Sequence, residues 1–191
     1  MMRIITGKAR GTHLFTLEGN ETRPTTERAK EAIFSILYGK VEGKRVLDLF
    51  AGSGQLGLEA ISRGAARATF VDASKEAAAI IAKNIEKTHF ADACRVVSSD
   101  VATFLRSDAG QYDLVFVDPP YAAGLTKGTL ALLVSGRKLA PGAIVVAETG
   151  EERDVFGDDA ALASHFTVTR RVRYGKAAVA FLTFPGGGET P

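Results

Sequence analysis

The sequence has little of the chemistry that builds disulfides or metal centres. Its 191 residues include one cysteine, Cys94, and three histidines that lie far apart, His13, His89 and His165. A single cysteine excludes a disulfide within the chain and suits a reducing compartment. Since no metal-ligand spacing surrounds Cys94 and the histidines form no pair, we expect no metal site and a structural, buried cysteine.

Long apolar stretches are also missing. No apolar run approaches the roughly 18 residues that a membrane-spanning helix needs, and the N-terminal residues lack the charged and then apolar pattern of a secretory leader. We therefore expect a soluble, cytoplasmic protein without membrane contact. A content of 46% hydrophobic and 24% charged residues is typical of one globular domain with a full core.

Charge is balanced over the whole chain but not along it. The formal net charge is +2, yet residues 1–30 carry six basic residues against three acids, and residues 170–176 carry four basic residues and no acid. Local basic patches can hold phosphates. For any single lysine, a solvated surface position is the more common explanation.

Strand and helix patterns alternate from Arg45 onward. They predict strands at 45–50, 68–72, 95–98, 112–117 and 143–148, separated by helices at 55–63, 75–88, 101–106 and 125–135. Such alternation predicts a parallel sheet with helices on both faces. After an acidic loop at 151–159, strands near 166–174 and 177–184 predict an antiparallel hairpin at one edge of the sheet.

A small hairpin and one helix are predicted ahead of this pattern. The hairpin covers residues 3–15 with a basic tip that contains Lys8 and Arg10. We expect it to clamp phosphates apart from the cofactor site; the alternative is that its apolar residues only cover a hydrophobic edge. Residues 23–26 are expected to be extended, with Thr25 or Thr26 capping a helix that ends at Gly39.

The predicted organisation has three parts, which are a hairpin extension at 1–22, a main domain at 23–184 and a disordered tail at 185–191.

The block at residues 46–57 has the pattern strand, glycine turn, helix. Gly52, Gly54 and Gly57 satisfy the G-x-G-x-x-G spacing of dinucleotide sites. Asp48 argues against a dinucleotide, because its carboxylate would face a pyrophosphate, but it suits a ligand with ammonium and sulfonium groups, such as S-adenosylmethionine. The glycines allow close approach of the ligand, and the N-terminus of the helix offers N–H groups to its carboxylate. A tight turn without a ligand is the alternative.

Acids end four successive predicted strands, namely Asp48, Asp72, Asp100 and Asp118. Asp72 lies 15 residues past Gly57, near the position of the ribose-binding acid in nucleotide-binding folds. Asp100 could accept a hydrogen bond from an adenine amino group. Each acid alone is more often a solvated loop residue. Together they predict a ligand site, because open α/β sheets bind ligands at the carboxyl ends of their strands.

Asp118-Pro119-Pro120-Tyr121 follows the apolar strand at 114–117. The exocyclic amino group of a nucleobase is a poor nucleophile, since its lone pair is delocalised into the ring. A carboxylate and a carbonyl that each accept one N–H can turn this lone pair outward, and Asp118 and Pro119 offer these two groups. Paired prolines hold the carbonyl still, and Tyr121 provides a face for base stacking. Alone, the tetrapeptide fits an ordinary proline turn about equally well.

Together these motifs resemble a known family. Arg3-Ile4-Ile5, Arg10-Gly11, Arg23-Pro24-Thr25-Thr26-Glu27-Arg28, the block from Asp48 to Gly57 and Asp118 to Tyr121 look like the RsmD-type 16S ribosomal RNA guanine-N2 methyltransferases of bacteria. The resemblance runs from about Arg3 to Phe184. It implies the seven-stranded class I methyltransferase fold, S-adenosylmethionine as cofactor and 16S ribosomal RNA as substrate, within a small-subunit assembly particle. It also implies direct in-line transfer by a monomer.

The resemblance assigns roles to individual residues. The cofactor would be lined by Asp48, Phe50, Ala51, Gly52, Ser53 and Gly54, with Asp72 and Ala73 at the ribose and Asp100 and Val101 at the adenine. The target guanine would be held by Asp118, Pro119, Pro120 and Tyr121. The RNA would be contacted by Arg3, Lys8, Arg10, Arg23, Thr25, Arg28, Lys127, Arg173 and Lys176. Asp118 would stabilise the developing positive charge on nitrogen without being a strong base.

Three other functions stay open. An adenine-N6 or cytosine-N4 methyltransferase of DNA or RNA would use the same Asp118 to Tyr121 loop. A nicotinamide-dependent oxidoreductase could use Gly52 to Gly57 but would leave that loop unexplained. A non-catalytic RNA-binding protein would keep the basic patches, although intact cofactor and acceptor motifs argue against it. Because the chain has no room for a separate target-recognition domain, we expect structured RNA with an unstacked base.

Overall fold

The computed structural model describes residues 2–17, 24–120, 125–150, 154–174 and 177–186. Arg23, Tyr121 and Lys176 lie outside the described residues, as do residues 18–22, 151–153 and 187–191 of the predicted extension, acidic loop and tail. The backbone of Thr25 is described, but its side chain is not.

One mixed sheet of seven strands forms the centre of the described part of the chain. The strands are β1 (Arg45–Leu49), β2 (Arg67–Asp72), β3 (Cys94–Ser98), β4 (Tyr112–Val117), β5 (Leu139–Gly150), β6 (Thr167–Tyr174) and β7 (Ala177–Phe184). Their order is β3-β2-β1-β4-β5-β7-β6. β1 to β5 are parallel, and β7 is antiparallel to both of its neighbours. The predicted class I methyltransferase sheet with an antiparallel edge hairpin is confirmed.

Helices cover both faces of this sheet. They are α1 (Pro24–Ile36), α2 (Gln55–Ser62), α3 (Lys75–Thr88), α4 (Val101–Ser107), α5 (Leu125–Ser135) and α6 (Ala160–Ser164). Phe34, Leu58 and Ile81 on α1 to α3 belong to the core on one face. The core on the other face includes Phe104 on α4 and Leu130 on α5. Among the described residues, none of the helices combines the length and apolar character of a membrane crossing.

Three elements differ from the sequence predictions. α1 begins at Pro24 instead of after Thr26, because the fixed φ and missing N–H of proline suit the first turn of a helix. β5 begins at Leu139, which pairs with Tyr112 before the register shifts. α6 was not predicted; it is short, and Asp159 caps it by accepting a hydrogen bond from the N–H of Leu162 at 2.9 Å.

The N-terminal segment, residues 2–15, follows a hairpin path without forming two regular strands. Its one isolated antiparallel bridge joins Arg3 and His13. Met2, Ile4 and Leu14 are buried in the same core as α1 to α3. Ile4 and Leu14 therefore cover a hydrophobic edge, whereas Phe15 is exposed; this arrangement leaves the basic tip free to act as a clamp.

Glu59 on α2 anchors this segment. Its carboxylate is fully buried and accepts hydrogen bonds from the backbone N–H of Ile5 at 2.7 Å and of Thr6 at 3.1 Å. The guanidinium of Arg63, one turn further along α2, donates to it at 2.8 Å. A buried carboxylate is tolerated only when such partners replace its hydration.

A buried lysine completes the anchor. The Nζ atom of Lys30 on α1 lies 4.0 Å from Glu59 Oε2 and donates a hydrogen bond to the carbonyl of Arg3 at 2.6 Å. Burial lowers the pKa of Lys30, and the neighbouring Glu59 carboxylate opposes this shift. One ionic cluster thus joins α1, α2 and the N-terminal segment.

We predict that Glu59→Ala destabilises the protein by about 3–5 kcal/mol, because it leaves a lysine charge and two backbone N–H groups buried without their acceptor. The free energy of unfolding in urea measures this loss. Glu31→Ala, at an exposed position on α1, is the control and should have little effect. A loss no larger than that of the control would contradict the anchoring role.

Candidate functional site

Acids at the carboxyl ends of four neighbouring strands share one face of the sheet. They are Asp48 on β1, Asp72 on β2, Asp118 after β4 and Glu148 on β5. Leu49 pairs with both Val71 and Val117, and Val117 pairs with Ala147. Each acid is next in sequence to one of these residues, so alternation along the strands directs all four to the face that α1, α2 and α3 cover.

Two of these acids hold the turn between β1 and α2. The Oδ2 atom of Asp48 accepts a hydrogen bond from the N–H of Gly57 at 2.9 Å. The Oδ2 atom of Asp72 accepts one from the N–H of Gly52 at 2.9 Å, and its Oδ1 atom accepts another from Ser74 at 2.9 Å. The predicted meeting of both acids with the glycine motif is therefore confirmed, whereas their contacts with a ligand stay a prediction.

The backbone of this turn adopts unusual conformations. Phe50 has a φ of 60°, which is uncommon for a residue other than glycine, and Gly54 has a φ of 76°. Gly57 is needed for a different reason, since a Cβ atom there would lie 2.3 Å from the ring of Phe70. Left-handed residues at a turn beside a ligand site are typical of strain that serves function.

Asn84 connects this turn to the N-terminal segment. It lies fully buried on α3. Its Nδ2 atom donates hydrogen bonds to the carbonyl of Ser53 at 2.9 Å and to the carbonyl of Phe15 at 3.0 Å. Its Oδ1 atom accepts a hydrogen bond from the N–H of Phe15 at 2.7 Å. The hydroxyl of Ser53 also donates to the sulfur of Met2 at 3.1 Å. The segment therefore contacts the turn between β1 and α2, while its predicted role as a clamp apart from the cofactor site stays a prediction. The sequence analysis missed Asn84, although a polar amide on the same buried face of α3 as Ile81 is a signal of a buried hydrogen bond.

The proposed adenine end of the site lies beyond β3. Ser98 pairs with Asp72, and Asp100 follows as the cap of α4, where its Oδ1 atom accepts from the N–H of Thr103 at 3.0 Å. Asp100 and Ala73 are exposed, and Val101 is buried. Among the described residues, no group of three histidine, cysteine or acidic side chains could hold a metal ion.

Burial raises the pKa of two of these acids. Burial raises the pKa of Asp48 to about 8; the hydrogen bond from Gly57 opposes this shift, while the negative charges of Asp118 and Asp72 add to it. Burial also raises the pKa of Asp118, and a hydrogen bond with the side chain of Glu148 opposes that shift. Clustered acids of this kind favour a cationic ligand.

The sequence analysis missed Glu148. Its signal was the same as that of the other acids, an acidic residue at the carboxyl end of a parallel strand. Pro119 follows Asp118 as a half-buried residue and Pro120 is exposed. The proposed stacking partner, Tyr121, lies outside the described residues.

The predicted RNA-binding residues fall into two regions. Lys8 and Arg10 are exposed near the C-terminal end of α2, where Lys8 N–H donates to the carbonyl of Ser62 at 2.8 Å. The acids lie beyond the other end of this eight-residue helix, about 12 Å away along its axis. The structure therefore does not bring the hairpin tip together with the acids.

In the second region, Arg173 lies at the level of the strand-end acids in the sheet. Arg28 is exposed in the first half of α1. Arg173 is exposed on β6 and pairs with Ala178 on β7, which in turn pairs with Thr149 on β5. Arg3 forms an ion pair with Glu27 at 3.3 Å, and Lys127 forms one with Asp159 at 3.7 Å.

Comparisons with known proteins identify the family. Residues 2–183 match the model of a family described as "Conserved hypothetical protein 95". The chain is 34% identical over 185 residues to the YlbH protein of Bacillus subtilis, covering 94% of this chain and 97% of that protein. It is 38% identical over 151 residues to Ribosomal RNA small subunit methyltransferase D of Escherichia coli strain K12, covering 79% and 76% respectively.

A solved structure gives the same result. The structure of the yhhF protein of Escherichia coli has a TM-score of 0.83 and 34% sequence identity to this chain, and the match covers 96% of this chain and 97% of that one. The chain therefore belongs to the family described as "Conserved hypothetical protein 95", the RsmD-type methyltransferases, which depend on S-adenosylmethionine.

Proposed function

We propose that this protein methylates the exocyclic N2 amino group of a guanine in 16S ribosomal RNA. The observation that carries the proposal is the position of Asp118-Pro119-Pro120 at the same sheet edge as the glycine turn between β1 and α2. The similarity to Ribosomal RNA small subunit methyltransferase D supports ribosomal RNA as the substrate. The protein would act as a monomer on an assembling small subunit.

The cofactor would lie over the turn formed by Phe50, Ala51, Gly52, Ser53 and Gly54. When bound, S-adenosylmethionine supplies the methyl group on a cationic sulfur. Asp48 and Asp72 would stabilise its positive charges, and the N-terminus of α2 would donate N–H groups to its carboxylate.

The remaining cofactor residues would fix the nucleoside part. Asp72 already accepts two backbone hydrogen bonds, but a carboxylate offers about four lone-pair sites, which leaves capacity for ribose hydroxyls beside Ala73. Asp100 and Val101 would contact the adenine.

The acceptor loop would orient the guanine amino group. The carboxylate of Asp118 and the carbonyl of Pro119 each accept one N–H, so the nitrogen lone pair points toward the methyl carbon. As the carbon–nitrogen bond forms and the carbon–sulfur bond breaks, positive charge develops on the nitrogen, and Asp118 stabilises it. The nitrogen then releases one proton to Asp118. Positioning supplies most of the remaining rate enhancement, with Pro120 stiffening the loop and Tyr121 stacking on the base.

We predict that N2-methylguanosine is the product when the protein is incubated with the cofactor and undermethylated 16S ribosomal RNA or small subunits. Mass spectrometry of digested nucleosides identifies the product. Methylation of adenine or cytosine, or of DNA in preference to RNA, would contradict the proposal.

Asp118→Ala should lower the single-turnover rate of transfer by about 100-fold or more, because it removes one aligned electrostatic group. The affinity for cofactor should stay nearly unchanged in calorimetry. Asp113→Ala is the matched control, since Asp113 lies on the same strand near its other end and binds Arg45 there. Equal rates for the two variants would exclude the role of Asp118.

Binding of S-adenosylmethionine should release a proton from Asp48. The pKa of this carboxyl is raised from 3.8 to about 8 in the free protein, so it is mostly protonated at neutral pH, and a bound cation favours its ionised form. The affinity should therefore increase as the pH rises toward about 8. Calorimetry in buffers with different ionisation enthalpies measures the released proton.

The same raised pKa affects stability with a definite sign. Because the folded protein holds this proton more tightly than the unfolded chain, the free protein loses stability as the pH rises from about 4 through about 8. Asp48→Asn should remove both this loss and the proton release on binding. Asp92→Asn, at an exposed position, is the control and should change neither.

Basic residues on both regions would bind RNA phosphates. We predict that Arg28→Ala with Arg173→Ala weakens RNA binding, and that each lost phosphate contact lowers the salt slope by up to about 0.9. The proposed clamp predicts the same weaker RNA binding and lower salt slope for Lys8→Ala with Arg10→Ala. The clamp requires the RNA to extend along α2 as far as the hairpin tip. Binding titrations at several salt concentrations measure these slopes.

Cofactor affinity provides the control for these RNA-binding variants. It should remain at the parent value because all four side chains are exposed. If Lys8→Ala with Arg10→Ala keeps the parent slope while the other pair does not, the clamp is excluded and the RNA site is confined to the edge near the acids.

A further inference from the structure

Asp118 and Glu148 form a pair of carboxyl groups at the acceptor site. β4 and β5 are parallel neighbours, and the pairing of Val117 with Ala147 puts the next residues, Asp118 and Glu148, side by side. Glu148 is also the side chain whose hydrogen bonding opposes the rise in the pKa of Asp118, so the two carboxyl groups lie close enough to interact. The hydroxyl of Thr126 on α5 donates to the backbone carbonyl of Glu148 at 3.1 Å, which fixes the end of β5. The contact therefore belongs to a supported part of the sheet.

A hydrogen bond between two carboxyl groups requires a proton. An ionised carboxylate has acceptors and no donor, and two carboxyl groups at neighbouring strand ends disfavour each other's ionisation, so the pair favours one shared proton. Asp48 and Asp72 lie on the same face of the sheet, and negative charge on these acids favours retention of this proton. On α5, Lys127 is held in an ion pair by Asp159.

The location of this proton decides whether the acceptor loop can work. If Asp118 held it and donated it to Glu148, its other oxygen would still accept the guanine N–H, but a neutral Asp118 could neither stabilise the positive charge on the nitrogen nor take its proton. If Glu148 holds it, both oxygens of Asp118 remain acceptors, one for Glu148 and one for the amino group. The proposed transfer needs the second arrangement.

We propose that Glu148 is a positioning residue of the acceptor site, whose protonated carboxyl donates a hydrogen bond to Asp118 and keeps Asp118 ionised and correctly oriented. This inference rests on the proposed function. Glu148 retains its proton through the reaction, while the proton lost by the methylated nitrogen goes to Asp118 and then to water. No charge is created or lost by this arrangement.

Glutamine and leucine at this position distinguish a donor from a base. Glu148→Gln replaces the protonated carboxyl with an amide that always donates, so its single-turnover rate should stay within about threefold of the parent. Glu148→Leu removes the donor and should lower the rate by about 10-fold to 100-fold, the scale for losing a partner that orients a functional group. Cofactor affinity should be unchanged in both variants.

The pH profile provides a readout that a packing role would not move. The parent rate should fall at high pH as Glu148 loses its proton, whereas the Glu148→Gln rate should persist to higher pH because the amide does not titrate. Thr149→Val, one residue further along β5 with its side chain on the other face, is the control and should keep the parent profile.

Two outcomes would overturn the proposal. A Glu148→Gln variant as slow as Glu148→Leu, with both folded and binding cofactor, would show that Glu148 acts as a base. Parent rates and profiles in both variants would show that it has no role. If instead the parent protein methylates no guanine, the proposed function fails.

If the protein methylates no guanine, the shared proton can still be tested without substrate. The folded pair binds a proton that the unfolded chain releases above about pH 4, so the melting temperature of the free protein should fall as the pH rises. Glu148→Gln should reduce this fall relative to the parent and to Thr149→Val. An unchanged pH dependence of the melting temperature would exclude the shared proton.

Discussion

The turn between β1 and α2 depends on two carboxylates that accept hydrogen bonds from its own backbone. Asp48 binds the N–H of Gly57 inside the first turns of α2, and Asp72 binds the N–H of Gly52 from the neighbouring strand. The helix therefore begins at a fixed position over the sheet, and Phe50 is kept in a left-handed conformation that it would not adopt alone. The same two acids stand at the edge where a cation would bind, so one set of contacts builds the turn and prepares it for that ligand.

Buried polar groups extend this constraint to the N-terminus. Glu59 holds the backbone of Ile5 and Thr6, and Asn84 joins Phe15 to Ser53 in the turn. A purely apolar contact would allow the segment to slide, whereas each of these hydrogen bonds has one geometry. The segment is thus part of the framework that supports the ligand site, even though it precedes the methyltransferase domain in sequence.

Regular patterns in the sequence were sufficient for the sheet, its alternation with helices and the common edge of Asp48, Asp72 and Asp118. These features follow from periodicity and from the rule that parallel strands end together. The contacts of Asn84 and the pairing of Glu148 with Asp118 could not be predicted, since they join positions far apart in the chain. The buried partners of the N-terminal segment could not be predicted for the same reason: its basic tip is visible locally, whereas those partners lie on α2 and α3.

Asn84 also has a consequence for the order in which the chain acquires its structure. Residues 2–15 leave the ribosome before their partners Glu59 and Asn84, which follow about 50 to 70 residues later. The segment cannot dock until α2 and α3 have been synthesised and packed on β1 and β2. During that interval Ile4 and Leu14 remain exposed to water. The completed ligand-binding turn therefore waits for residues that were synthesised earlier to dock against it, which delays a complete site until the first half of the sheet exists.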